Sequence, residues 1–345
     1  MTIVEVAKLA KVSNATVSRV INRSDTVKPE TVERVRKAMI KAGYTPKPLL
    51  SRPGPRPGSH LKGNGRFSKQ TGIVAMVMCM KPSLLGLSPV LSSVVDGAEE
   101  ALVQRGLSMV QVYVQPGGPI PPLLTRNGID GSLVIHAMPD DVEAVLSRHG
   151  RVTLMSDVAS TTDRVFCDND AIGTLAFDYL KGRGHKHLAF VTLHKEHLAS
   201  IIRRESFFKS AQQSSLEMTV FEHPNKWGAG LLSMPRVMES MCLETAEQMS
   251  KMPDRPTGIF VMSDAFAAVL YPALKQVGIR PGSDVDVISC NNETMLLAGL
   301  YPRPATIDIK AEYIGQRAVE QLCWRNEHPD DPSAIEIKIK PELVR

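Results

Sequence analysis

Val6-Ala7-Lys8-Leu9-Ala10-Lys11-Val12-Ser13-Asn14-Ala15-Thr16-Val17-Ser18-Arg19-Val20-Ile21-Asn22 decides the reading of this chain. Val6, Ala7 and Ala10 recur at helical spacing, with Ile3 before them, and Thr2 and Glu5 are spaced as a capping box. The pattern breaks at Lys11-Val12. Ser13 then stands as the N-cap of a second short helix that turns Val17, Val20 and Ile21 inward. Its other side carries Asn14, Ala15, Thr16, Ser18, Arg19 and Asn22, all small, polar or cationic. A third helix opens at Pro29 and runs through Val32, Val35, Met39 and Ile40 to a stop at Gly43. Two short helices joined by a tight turn and braced by a third make a helix-turn-helix, whose second helix fits the major groove of a DNA duplex.

The charge around this segment supports that use. Residues 1–69 hold 15 lysines and arginines against four acids, whereas residues 70–345 hold 26 bases against 32 acids. A basic head on a mildly acidic body suits a binder of phosphate backbones. On the second helix, Arg19 can address guanine O6 and N7 together, and Asn14 can do the same for adenine or contact phosphate. Ala15 offers only a methyl group, while Ser13, Thr16, Ser18 and Asn22 suit phosphate contacts that fix register.

Length and composition bound the remainder. At 345 residues the chain exceeds one core, and 43% hydrophobic with 22% charged residues predicts folded, soluble domains. No run of about 20 apolar residues suggests a membrane span, and the first residues do not read as a secretory signal. Cys79, Cys167, Cys242, Cys290 and Cys323 are scattered without a C-x-x-C pair, which suits a reducing cytoplasm better than disulfides or a zinc cage.

Residues 45–70 contain five prolines, four glycines and six bases, and so read as a basic linker. Beyond Gly72, apolar runs at 73–78, 107–114, 131–135, 152–155, 187–192, 258–262 and 285–289 alternate with helical stretches such as Val90–Arg105. That alternation predicts parallel sheets with helices on both faces, and about 270 residues are enough for two lobes. Ligands of such sheets sit beyond the carboxyl ends of the strands. The organisation expected is therefore a helix-turn-helix at 1–46, a linker at 47–71 and a two-lobed domain at 72–345.

These motifs resemble the lactose/galactose repressor (LacI/GalR) family. The head matches without gaps over Val6–Asn22, Val27–Val35 and Ala42–Pro46. In the body the resemblance is carried by Asp168–Gly173, Leu180–Phe190, Pro256–Asp264, Gly278–Ile288 and Lys340–Arg345. It implies an all-α DNA-binding head joined to an α/β core like the periplasmic binding proteins, with parallel sheets. It also implies a homodimer on pseudo-palindromic operator DNA, a small-molecule effector, no cofactor and no catalytic activity.

Two departures bear on the head. Lys11 stands where the family has a turn glycine, and Lys28 stands where it has a capping serine or threonine. The family's hinge helix wedges a leucine into the minor groove, but Pro53 holds that position, leaving Leu49 and Leu50 and a hinge that is shortened or absent.

The resemblance and the strand ends together name effector contacts. Arg203, in Arg203-Arg204-Glu205-Ser206-Phe207, is the family's effector-gripping arginine, with Ser206 replacing a glycine. Ser263 with Asp264, Asn291 in place of an aspartate, Trp227 as a stacking ring, Ser88 and His136 complete the set, and Ser156-Asp157 is a further polar pair. A sugar or sugar derivative is the expected effector, with a purine as the alternative. The chain carries no G-x-S-x-G, phosphate-loop or H-E-x-x-H motif. His185, His187, His194 and His197 lack the further ligands of a metal site. A solute-binding protein would share the body but has no use for the basic head.

Overall fold

The computed structural model describes residues 3–22, 27–44, 71–80, 82–85, 88–115, 117–126, 128–136, 138–158, 161–192, 197–222 and 234–345. The chain divides into two compact units, residues 1–59 and 60–345. The linker at 45–70, with Leu49 and Leu50, lies outside the described residues, as do Thr2 of the capping box, His194 and Trp227.

The first unit contains α1 (Ile3–Ala10), α2 (Asn14–Asn22) and α3 (Pro29–Lys41). Their shared core is Val6, Ala7, Ala10, Val17, Val20, Val32, Val35, Ala38 and Ala42, with Val12, Met39 and Tyr44 packed on it. Ala38 sits three residues after Val35 and joins the inward face, because residues three apart share a helix face, whereas Ile40 is 82% exposed. Lys11 adopts φ +51°, the left-handed turn its position requires. Lys28 precedes α3 without a side-chain cap, as its chemistry dictates. Gly43, at φ +57°, ends α3.

The second unit runs in chain order. The first lobe comprises β1 (Ile73–Met78), α4 (Pro82–Leu85), α5 (Pro89–Gln104), β2 (Ser108–Tyr113), α6 (Pro122–Thr125), β3 (Gly131–Ile135), α7 (Asp140–Leu146), β4 (Arg151–Leu154) and β5 (Asp163–Cys167). The chain then builds the second lobe from α8 (Asn169–Gly182), β6 (His187–Thr192), α9 (Leu198–Gln213), β7 (Glu217–Glu222), α10 (Met234–Lys251), β8 (Gly258–Val261), α11 (Asp264–Gln276), β9 (Asp286–Cys290), α12 (Thr294–Leu297) and β10 (Ala305–Asp308). It returns through α13 (Ala311–Glu327) and β11 (Glu336–Ile339) to the first lobe and ends with β12 (Glu342–Val344) in the second.

The two sheets have orders β11-β5-β4-β3-β1-β2 and β12-β10-β9-β8-β6-β7. Every pairing is parallel except β10 with β12. The inner strands β1 and β6, each beside an edge strand, are buried almost end to end, as strands covered by helices on both faces must be. The chain crosses between the lobes three times, near Asp168, near Lys310 and near Lys340. Those crossings set the carboxyl ends of both sheets toward one cleft.

Close packing secures the first lobe. A side chain on Gly315 would collide with the Val94 carbonyl, and one on Gly97 with the Glu312 carbonyl, so α5 and α13 meet backbone to backbone. Asp163, buried at the start of β5, accepts from Arg325 Nε at 2.9 Å and Nη2 at 2.6 Å, from Gln321 at 2.8 Å and from the Ile335 N–H at 3.0 Å. Burial alone would raise its pKa. The Arg325, Ile335 and Gln321 donors outweigh burial and hold the carboxyl below the usual range.

Candidate nucleic-acid interface and ligand cleft

On α2, burial of Val17 and Val20 fixes which side faces solvent. Asn14 and Arg19 are exposed. Ser13 caps the helix, accepting from the Thr16 N–H at 3.1 Å, and its hydroxyl lies 2.9 Å from the Thr16 hydroxyl. The cap aligns the helix start and leaves both hydroxyls at its N-terminal end, where backbone N–H groups favour phosphate. Ala15, Ser18 and Asn22 lie on the same helix, at positions 1, 4 and 8 residues after Asn14. Across its solvent side α2 therefore offers a guanidinium and a carboxamide with no acidic side chain.

The cleft begins with Arg203 on α9. Its side chain is only 5% exposed. Nε donates to Asn169 Oδ1 at 2.7 Å, Nη1 to the Met262 carbonyl at 2.9 Å, and Nη2 points at Cys167 Sγ at 3.8 Å. Asn169 passes the connection on, donating Nδ2 to Asp157 Oδ2 at 2.7 Å. Asp157 follows β4 of the first lobe, so Asp157–Asn169–Arg203 spans the cleft floor. Burial raises the Asp157 carboxyl, against the pull of Asn169 and Arg203. It also pushes the nearby Cys290 thiol up to about 12, so this sulfur stays protonated.

His136 ends β3 at φ +62° and is fixed by a 2.9 Å contact between Nδ1 and the Met155 carbonyl. Its ring stands edge-on to that of His197, at the start of α9, with centroids 6.2 Å apart. Burial lowers the His136 pKa. Burial, with His136 and Arg203 nearby, lowers His197 to about 4. Both rings are neutral at pH 7.

The other side of the cleft is built by the corner after β9. Asn291 takes φ +112° and Asn292 φ +59°, a strained pair at a strand end. Asn291 Nδ2 lies 3.5 Å from Glu293 Oε2, and Asn292 Nδ2 donates to Asp308 at 3.1 Å. Ser263 caps α11, its hydroxyl accepting from Phe266 N–H at 3.4 Å. Asp264 is wholly enclosed. Its carboxylate accepts from Ser289 Oγ, from Thr306 Oγ1 at 2.8 Å and from Glu293 N–H at 2.6 Å. In this arrangement Asp264 braces the corner and does not face the cleft. Ser88 stands across the cleft, immediately before α5.

His136 and Asn291 thus lie just past the ends of β3 and β9, Arg203 is buried behind the end of β8, Ser88 precedes α5, and Ser263 and Asp264 are tied into the start of α11 and the corner after β9. Sequence reasoning missed Glu293 and Asn169 as participants and set His197 aside. His185 and His187 are structural: His185 bridges Thr257 and Asp286, and His187 bridges the Asp254 carbonyl and Thr219. Among the described residues no three His, Cys, Asp or Glu side chains gather as a metal site, and no helix is long and apolar enough to cross a membrane.

Residues 2–47 match the family described as bacterial regulatory proteins, lacI family, and residues 177–345 match the periplasmic binding protein-like domain. The chain belongs to the LacI family. It is a DNA-binding regulator with an effector-binding domain, in a family of regulators and not of enzymes. Among its relatives is the HTH-type transcriptional repressor PurR of Vibrio vulnificus, 26% identical across 99% of this chain and 97% of that protein. Two solved structures share the fold over the whole chain. One is the Lac repressor dimer bound to operator and the anti-inducer ONPF, at TM-score 0.71 and 19% identity, covering 98% of that chain. The other is the transcriptional regulator CelR in complex with cellobiose, at TM-score 0.66 and 21% identity, again covering 98% of that chain.

Proposed function

We propose that this family member is a homodimeric repressor acting in the cytoplasm, and that it reads a pseudo-palindromic operator through Asn14, Ala15 and Arg19. The observation that carries the reading is α2 itself, where Arg19 and Asn14 stand exposed on a helix anchored by Val17 and Val20. One such helix reads only a few base pairs, so two copies are needed for a useful site. Ser13, Thr16, Ser18 and Asn22 set the register on phosphate, and Leu49 or Leu50 supplies whatever minor-groove wedge the linker makes.

We infer further that a small sugar or sugar derivative binds between the lobes and changes operator affinity. Arg203, Asn291, Ser88 and His136 border the cleft, with Trp227 assigned to it from sequence alone. Their donors and acceptors, with few aromatic rings, suit a ligand rich in hydroxyls. The cellobiose held by CelR supports that class. A purine is the second reading, favoured by full-length similarity to repressors named PurR.

Selecting duplexes from a random pool with the full chain, then measuring anisotropy across a salt series, tests the DNA reading. One symmetric site bound far above random duplex is expected, with affinity falling as salt rises. Equal binding of all duplexes would refute it. Adding sugars, sugar acids and purines to the bound complex then identifies the effector class. A response to purines alone would replace the sugar reading.

A further inference from the structure

Helix α5 of the first lobe starts at Pro89, and its preceding residue Ser88 makes no side-chain cap. The early N–H groups of a helix need acceptors from outside it. Val90 N–H finds one 203 positions further along the chain. It donates to Glu293 Oε1 at 3.1 Å, across the cleft from the second lobe. A carboxylate thus meets the positive end of a 16-residue helix, where the aligned peptide dipoles favour an anion.

The second lobe aims that carboxylate. Glu293 N–H donates to the enclosed Asp264 carboxylate at 2.6 Å, and Asp264 is held in turn by Ser289 and Thr306. The left-handed pair Asn291-Asn292 turns the chain into position, and Asn291 Nδ2 lies 3.5 Å from Glu293 Oε2. The half-buried position is electrostatically costly. Burial, and then the nearby Asp264, push the Glu293 carboxyl up to about 7. The Val90 amide and the α5 dipole are the groups across the cleft that offset this cost.

We propose that Glu293 is a cross-cleft latch that holds the two lobes together before any effector arrives, by supplying from the second lobe the acceptor that α5 of the first lobe lacks. The proposal rests on the cleft being the effector site and adds what regulates it. An effector group reaching the start of α5 competes with Glu293. A ligand presenting hydroxyl or amino donors finds an acceptor there, whereas a carboxylate or phosphate meets Glu293 with Asp264 behind it.

The test needs no effector, so it fails independently of the sugar or purine reading. In the full-length protein, amide hydrogen exchange reports on Val90 and small-angle X-ray scattering reports on lobe separation. Glu293→Ala keeps the backbone N–H that Asp264 holds. It is expected to speed exchange at Val90 at least tenfold and to increase the radius of gyration. The double variant Glu293→Ala/Ser88→Asp gives α5 a cap from its own lobe. It is expected to restore slow exchange at Val90 while the molecule stays expanded. Unchanged dimensions in Glu293→Ala, or recovery of the compact dimensions in the double variant, would reduce Glu293 to a helix cap and overturn the latch. Glu293→Ser, which keeps the backbone N–H but is too short to reach Val90, covers a failure of the alanine variant to fold. The same faster exchange and expansion are expected, and no expansion overturns the proposal.

Discussion

Lys11 and Arg19 show how single residues divide between fold and function on the head. Lys11 sits at φ +51°, where a side chain costs about 1 kcal/mol and glycine does not. Lys11→Gly is expected to stabilise the turn by up to about 1 kcal/mol, seen as amide exchange across α1 and α2 slowing by up to about fivefold. Unchanged exchange would mean that the lysine bears no strain. Arg19 has the opposite character, because it is exposed and adds nothing to the core of the head. Arg19→Ala is expected to leave head stability unchanged and to weaken binding to the selected operator by about 1–3 kcal/mol, with relaxed preference at one base pair. Anisotropy on single-base operator variants checks this, and an unaltered preference removes Arg19 from the readout. Arg203 differs from both. Sequence similarity gives it to the effector, yet Asn169 and the Met262 carbonyl already occupy two of its donors. Its truncation therefore strips a buried partner from the cleft floor as well as any ligand contact.

Helix and strand pairings explain what the sequence could and could not convey. Strands β1, β3, β6 and β8 were legible because burial on both faces leaves an uninterrupted apolar run. Strand β5 was not, since it opens with Asp163 and Arg164. Both are buried by ion pairs with partners more than 160 residues away, Arg325 and Glu336, so charge reads as loop where long-range pairing makes strand. The edge strands β7 and β11 carry the polar residues that edges tolerate and lack a long apolar run; β11 alternates as Glu-Ile-Lys-Ile, but over only four residues. The candidate site divides the same way. Arg203, His136 and Asn291 follow from strand ends and motif, but the partner of Glu293 is a backbone amide with no side-chain signature. The α5–α13 contact is equally silent, because Gly97 and Gly315 have meaning only once the helices touch. Gly315→Ala is expected to lower stability by about 1–3 kcal/mol through the clash with the Val94 carbonyl. Urea denaturation measures it, and an unaffected midpoint would mean that the helices can part without cost.

Across the whole molecule, the two lobes meet through groups whose protonation pulls in opposite directions. His136 and His197 face each other across the cleft, with Arg203 near His197 and Asp157 near His136. His197 titrates at about 4 when the lobes are together and returns toward the ordinary 6.5 when they part. The separated state therefore binds the proton more tightly between those values, and this pair loosens as pH falls from 6.5 toward 4. Glu293 has the reverse sign. It titrates at about 7 against α5, chiefly through burial, and falls as the parting lobes relieve that burial while Asp264 stays beside it, so the closed state binds its proton more tightly. That contact loosens as pH rises from 4.5 toward 7. The windows overlap, so the wild-type protein is expected to have a shallow net slope. Each variant should expose the other contact. Glu293→Gln leaves the histidine slope, with lobe separation increasing toward acid. His197→Gln leaves the Glu293 slope, with separation increasing toward neutral pH. Scattering dimensions followed from pH 4.5 to 7.5 in the two variants should run in opposite directions. Parallel curves would show that these groups do not hold the lobes together.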